Sequence, residues 1–136
     1  MPGDRVLDCY ALVAFFTGEE GADRVAEVLG QDGDLLHISA INVGGLYYVL
    51  TRRRGSTAAA QAVATSRQQP NLRIAQATWD RVPAAAEIKA QARLSYADAL
   101  AAALAREVAG PLVTGDPEFA PLEQQGLLQV EWLPGG

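Results

Sequence analysis

The chain has 136 residues, 49% of them apolar and 20% charged, which suits one domain with one core and argues against disorder. Its net charge of −5 offers no bulk attraction to nucleic acid, so any RNA or DNA contact has to come from a local basic patch. The single cysteine, Cys9, excludes an internal disulfide and a cysteine-based zinc site, and no apolar run approaches the roughly 20 residues that span a bilayer.

Asp4 and Asp8 interrupt the start of the chain where a signal peptide would need basic, apolar and small-residue zones, so a soluble cytoplasmic protein is expected. The first strand is Val6-Leu7-Asp8, and a helix follows at once, with Leu12, Val13, Phe15 and Phe16 on one face and Thr17-Gly18 ending it. A second helix is expected from Glu20 to Leu29, then a polar turn from Gly30 to Asp34, then a buried strand, Leu35 to Ile38. Ser39 caps a helix over Ala40 to Arg53, and Arg52, Arg53 and Arg54 suit its negative C-terminal end. Ser56 or Thr57 opens the next helix, which Gln69-Pro70 terminates. Leu72 to Ile74 is a third strand, and Thr78 to Gln91 a helix weakened by Pro83. Ser95 caps an Ala-rich helix that Gly110-Pro111 ends, Leu112 to Thr114 is the fourth strand, and Pro117 to Gln125 is a short helical turn. Leu128 to Leu133 alternates as an edge strand does. Strands alternating with helices predict a single α/β domain over 1–136, with four to five parallel strands joined by right-handed crossovers and flanked by helices.

Three aspartates stand at the edges of apolar elements: Asp8 after the first strand, Asp98 near the start of the Ala-rich helix, and Asp116 after the fourth strand. If those strands are parallel, their carboxyl ends share the ligand-binding edge of the sheet. Three carboxylates gathered there repel one another unless protonated or neutralised, and a divalent cation is the usual neutraliser. Each also has a plainer reading. Asp98 lies three residues after Ser95, as in a capping box, and Thr114-Gly115-Asp116-Pro117 is a turn-rich string. Asp8 has little structural reason to end a central strand. Other strand-end chemistries fail on neighbouring residues. Tyr10 stands where a phosphoaspartyl hydrolase needs a second aspartate, and no Gly-x-Gly-x-x-Gly follows the first strand. His37, the only histidine, lies beside no nucleophile motif and reads as structural.

Four strings together carry a family resemblance: Val6-Leu7-Asp8 with Ala11-Leu12-Val13-Ala14; Ile38-Ser39-Ala40-Ile41-Asn42; Leu94-Ser95-Tyr96-Ala97-Asp98-Ala99; and Val113-Thr114-Gly115-Asp116-Pro117-Glu118-Phe119. In order and separation they resemble the PIN-domain ribonucleases, specifically the toxin half of VapBC-type toxin–antitoxin pairs. The resemblance implies a three-layer α/β/α fold and an Mg²⁺- or Mn²⁺-dependent endoribonuclease leaving 5′-phosphate and 3′-hydroxyl ends. It implies that Asp8, Asp98 and Asp116 are metal-site carboxylates, with Asn42 and Thr114 as supporting polar residues. It further implies a cognate antitoxin, a homodimer, an RNA substrate and no membrane partner.

One position departs from the family pattern. Three residues beyond Asn42 the family usually carries a catalytic glutamate, and here Gly45 stands, in Asn42-Val43-Gly44-Gly45-Leu46-Tyr47-Tyr48. Two helix-interior glycines cost about 1 kcal/mol each relative to alanine. Loss of the glutamate is one reading of Gly45; close helix packing at Gly44 and Gly45 is the other. Glu19 and Glu118 are nearby acidic residues, and neither is placed by its motif to substitute. Arg52, Arg53 and Arg54 form the only basic run, read first as a solvated helix end and second as an RNA backbone contact. Tyr10, Phe15, Phe16, Tyr47 and Tyr48 read as core before base-stacking surface. Three functions are therefore expected in order: an endoribonuclease toxin impaired at Gly45; a non-catalytic PIN module that binds RNA or an antitoxin; and an unrelated α/β domain whose aspartates are caps and turns.

Overall fold

Val6 and Leu7 send their side chains to opposite faces of one sheet, and both are fully buried. The computed structural model describes residues 3–30 and 34–135. Its five strands are β1 (Asp4–Leu7), β2 (Leu35–Ser39), β3 (Leu72–Ala75), β4 (Leu112–Thr114) and β5 (Val130–Trp132), all paired in parallel in the order β3-β2-β1-β4-β5. Seven α-helices are described: α1 (Cys9–Thr17), α2 (Ala22–Gly30), α3 (Ala40–Arg54), α4 (Ser56–Gln68), α5 (Arg81–Gln91), α6 (Tyr96–Val108) and α7 (Ala120–Gln124), the last preceded by a 3-10 turn at Pro117–Phe119. Leu7, Leu36, Ile38 and Val113 pack with α1 to α4 on one face, whereas Val6 and Leu112 pack with α5, α6 and α7 on the other. Burial on both faces explains why the strands read as apolar runs without alternation. The result is the three-layer α/β/α arrangement expected from the sequence. Among the described residues, no helix is long and apolar enough to cross a membrane.

Several boundaries differ from expectation for local reasons. β1 stops at Leu7 because Asp8 leaves the strand to cap α1, its carboxylate accepting the Ala11 N–H at 2.9 Å. α5 begins at Arg81 and not at Thr78, which puts Pro83 in the first turn, where its missing N–H leaves no bond unmade. α2 begins at Ala22, after Gly21 with φ +97°. The expected turn from Gly30 to Asp34 falls largely outside the described residues, which omit 31–33. Gly110, between α6 and β4, lies so close to the start of β1 that a β-carbon there would collide with the Asp4 carbonyl. His37 contacts Asp4 at 3.4 Å, across neighbouring strands and away from the carboxylates below.

Candidate metal centre

Strand order reverses at β1, with β2 on one side and β4 on the other, so the loops leaving β1 and β4 diverge around a crevice at their carboxyl ends. Asp8 follows β1 and Asp116 follows β4, while the N-terminus of α6 brings Asp98 to the same edge. All three line one cavity of about 410 Å³, together with Asn42, Gly45, Tyr48, Val49 and Arg53 of α3 and Cys9 and Tyr10 of α1.

Asp98, Asp116 and Glu118 each offer a carboxylate oxygen within 4.8 Å of the other two. Asp98 is held at the first turn of α6, where Ser95 Oγ accepts its backbone N–H at 3.1 Å. Asp116 caps the 3-10 turn by accepting the Glu118 N–H at 3.0 Å. Pro117, pre-set for the first helical position, then turns Glu118 back toward Asp116. The capping roles and the clustering thus coexist in the same residues. Glu118 is the site residue that sequence reasoning did not place; the Asp-Pro-Glu string was its signal.

Asp8 lines the cavity beside Asp98 and Asp116 and is only 2% exposed. One oxygen accepts the Ala11 N–H, and the other accepts the Thr114 hydroxyl at 2.6 Å. Thr114 in turn accepts the Asp116 N–H at 3.0 Å, so one hydroxyl fixes the first acidic residue against the last. Buried Asn42 does the same between helices: its carbonyl accepts the Cys9 N–H and its amide donates to the Ala97 carbonyl, both at 3.0 Å. Asn42 therefore locks the starts of α1 and α6 to α3.

The cavity carries uncompensated negative charge. Burial pushes the Asp8 carboxyl up to about 7 against the lowering effect of its two hydrogen bonds, and Asp98 and Asp116 add to the rise. The Asp98 carboxyl is pushed up to about 6, by burial first and then by Asp116 and Glu118. Arg53 lines the cavity, but its guanidinium is paired with Glu19. Glu19 lines the same cavity, its carboxylate paired with Arg53. Among the described residues, the cluster is a hard, like-charged set of oxygen donors with no cationic side chain paired to it, which fits a divalent cation such as Mg²⁺ or Mn²⁺. Cys9 is no candidate ligand or nucleophile, since burial and the neighbouring Asp8 and Asp98 push its thiol up to about 12.

Gly45 faces the cavity from α3 and packs on Cys9, whereas a β-carbon on Gly44 would meet nothing within 4 Å. Close packing therefore accounts for one of the two glycines only. The three arginines separate as well. Arg54 donates to the Phe16 carbonyl at the end of α1, Arg53 pairs with Glu19, and Arg52 lies 5.8 Å from the Tyr48 ring centroid. Tyr47 and Tyr48, expected as core, are exposed. A second depression, about 440 Å³ between α5 and α6, has Arg81 and Glu107 paired with each other and, among the described residues, no carboxylate trio.

A family model described as PIN domain matches residues 5–123. Compared with curated proteins by sequence, the chain has no significant match. Among solved structures it resembles VapC20 of Mycobacterium tuberculosis, a toxin that cleaves the sarcin-ricin loop, with a TM-score of 0.73 at 20% identity over 86% of this chain and 93% of that one. It also resembles a chain of VapBC2 from Rickettsia felis, solved bound to a promoter DNA fragment, with a TM-score of 0.71 at 16% identity over 96% and 98% of the two chains. A chain of VapBC-5 from Mycobacterium tuberculosis gives a TM-score of 0.64 at 20% identity over 96% and 99%. At these identities the likeness is one of fold.

Proposed function

The chain belongs to the PIN-domain family, and from that membership we propose that it is a metal-dependent endoribonuclease, the toxin of a toxin–antitoxin pair. The observation that carries this reading is the carboxylate trio of Asp98, Asp116 and Glu118, clustered beside buried Asp8 where the strand order reverses. Asp98, Asp116 and Glu118 would hold Mg²⁺ or Mn²⁺, with Asp8 at the inner wall. Such an ion, when bound, lowers the pKa of its water and neutralises charge at a scissile phosphate. The chain's own residues position that chemistry. Thr114 orients Asp8 and restrains the Asp116 loop, and Asn42 keeps the carboxylate-bearing helices in register. The substrate is RNA, the site is blocked by a cognate antitoxin, and the toxin pairs with itself as a homodimer in the cytoplasm.

A second reading rests on one observation: position 45 supplies no carboxylate, and Cys9 lies against it. In that reading the chain is a non-catalytic PIN module that binds RNA or an antitoxin. Incubation with structured RNA in Mg²⁺, with EDTA and Asp98→Asn controls, separates the two. Cleavage abolished in both controls supports the nuclease; no cleavage by a folded, cation-binding protein supports the module.

A further inference from the structure

The cavity-facing stripe of α3 continues past the carboxylates to the surface. Asn42, Gly45, Tyr48, Val49 and Arg53 recur at helical spacing along the cavity wall. Beside them Ile41, Gly44, Tyr48 and Arg52 are all exposed. Tyr48 belongs to both rows: it lines the cavity and is 59% exposed. An exposed aromatic on a helix has no folding role to explain it, yet this ring is held in place. Arg52, one turn on, donates from Nη1 to the Tyr48 hydroxyl at 3.4 Å and sets its guanidinium 5.8 Å from the ring centroid. Arg53 and Arg54 are engaged with Glu19 and the Phe16 carbonyl, whereas the contact of Arg52 is the Tyr48 ring itself. Gly44 presents bare, open backbone beside this ring, and Gly45 lines the cavity with Cys9 packed on it.

We propose that Tyr48, braced by Arg52, is the platform on which one unpaired base of single-stranded RNA stacks, beside the nucleotide whose phosphate lies at the acidic cavity. This rests on the endoribonuclease reading and names the form of its substrate. Aromatic rings accept any base face, and a neighbouring guanidinium supplies the phosphate contact that the acidic cavity lacks. The substrate strand must therefore be unpaired where it passes α3, because a base held in a duplex cannot present its face to the ring.

The test measures binding, so cleavage activity is not required. The probe is a short fluorescein-labelled single-stranded RNA of mixed sequence, titrated with the full chain in Ca²⁺, alongside copies carrying one abasic site at each position in turn. Tyr48→Ala should weaken binding roughly 5- to 100-fold, the range that stacking of one base spans. Tyr48→Phe should bind like the unaltered protein. One abasic position should weaken binding by the unaltered protein and have no further effect on Tyr48→Ala. Tyr48→Ala binding as tightly as the unaltered protein would overturn the platform while leaving the nuclease reading intact. Weakening by Tyr48→Ala that adds to every abasic site equally would also overturn it, because no single base would then depend on the ring. If the unaltered protein binds no RNA at all in Ca²⁺, the platform and the underlying endoribonuclease reading fail together.

Discussion

A β-carbon on Gly45 would lie 3.0 Å from Cys9 Sγ and 3.3 Å from Cys9 Cβ. The first position of α1 and the middle of α3 are therefore fitted to each other, and the side chain absent from one is matched by the thiol of the other.

This fit predicts different outcomes for two adjacent glycines. Gly44→Ala adds a methyl group to open space and should stabilise the protein by about 0.5–1 kcal/mol through helix propensity. Gly45→Ala should gain less, or lose stability, because Cys9 must move aside. Adding Cys9→Ala should recover the gain at position 45 and leave that at position 44 unchanged. Urea unfolding of these variants measures this; equal gains at 44 and 45 would show that Cys9 yields freely.

The same constraint governs introduction of a carboxylate at position 45. Gly45→Glu paired with Cys9→Ala should show more Mg²⁺-dependent RNA cleavage than Gly45→Glu alone, with both abolished by EDTA. A double variant that folds, binds Mg²⁺ and cuts nothing would remove position 45 from the chemistry.

Stability of the metal-free protein should fall as pH rises. The Asp8 carboxyl titrates near 7 in the fold and near 3.8 when unfolded, so between these values the folded state holds the extra proton. The favourable contribution is complete below about pH 4 and lost as pH passes 7; Asp98, raised to about 6, adds in the same direction. The loss from Asp8 is a few kcal/mol at most, at about 1.4 kcal/mol per unit. Asp8→Asn keeps a helix-capping side chain while removing the charge, and should flatten the slope. Denaturant melts across pH 4–8 in EDTA test this; an unchanged slope in Asp8→Asn would place the titration elsewhere.

A divalent cation should act against that slope. Mn²⁺ at about 100 times its dissociation constant should stabilise the protein by about 2.7 kcal/mol at pH 8, and by much less at pH 5, where the carboxyls hold protons. Asp116→Asn should remove the response and Glu118→Gln should weaken it, as read by calorimetry. Full response in both variants would exclude the trio as the binding set.

Removal of Arg52 and of Arg54 should have distinct signatures. If Arg52 neutralises one phosphate, Arg52→Ala should reduce the slope of log affinity against log salt for single-stranded RNA by about 0.7. Arg54→Ala, whose guanidinium is engaged with a backbone carbonyl, should leave the slope unchanged. Identical slopes would return Arg52 to the solvated helix end.

Most of the fold was legible because the strands and helices differ in period and end at strong breakers: Gly18, Gly55 and Gly110-Pro111 stop helices where expected. The three aspartates could be placed at one edge because parallel strands share their carboxyl ends. Glu118 was not placed, because its position depends on how Asp116 and Pro117 fold the chain back on itself, which no period encodes. The Cys9–Gly45 fit was also hidden, since the residues are far apart in sequence and only the approach of α1 to α3 joins them. Tyr48 looked like core because aromatic residues usually are, and only the helix phase relative to its neighbours turns it outward.

The hydrogen bond from Thr114 to Asp8 joins residues 106 positions apart, and the pairing of β1 with β4 is equally late in the chain. During synthesis, then, a ribosome extrudes Asp8 long before Thr114 or the other clustered carboxylates exist. A nascent chain that has reached the end of α5 carries Asp8 but not Asp98, Asp116 or Glu118, and so no acidic cluster. Whatever this pocket does, it cannot begin until translation is nearly finished, and a chain terminated before α6 never assembles it.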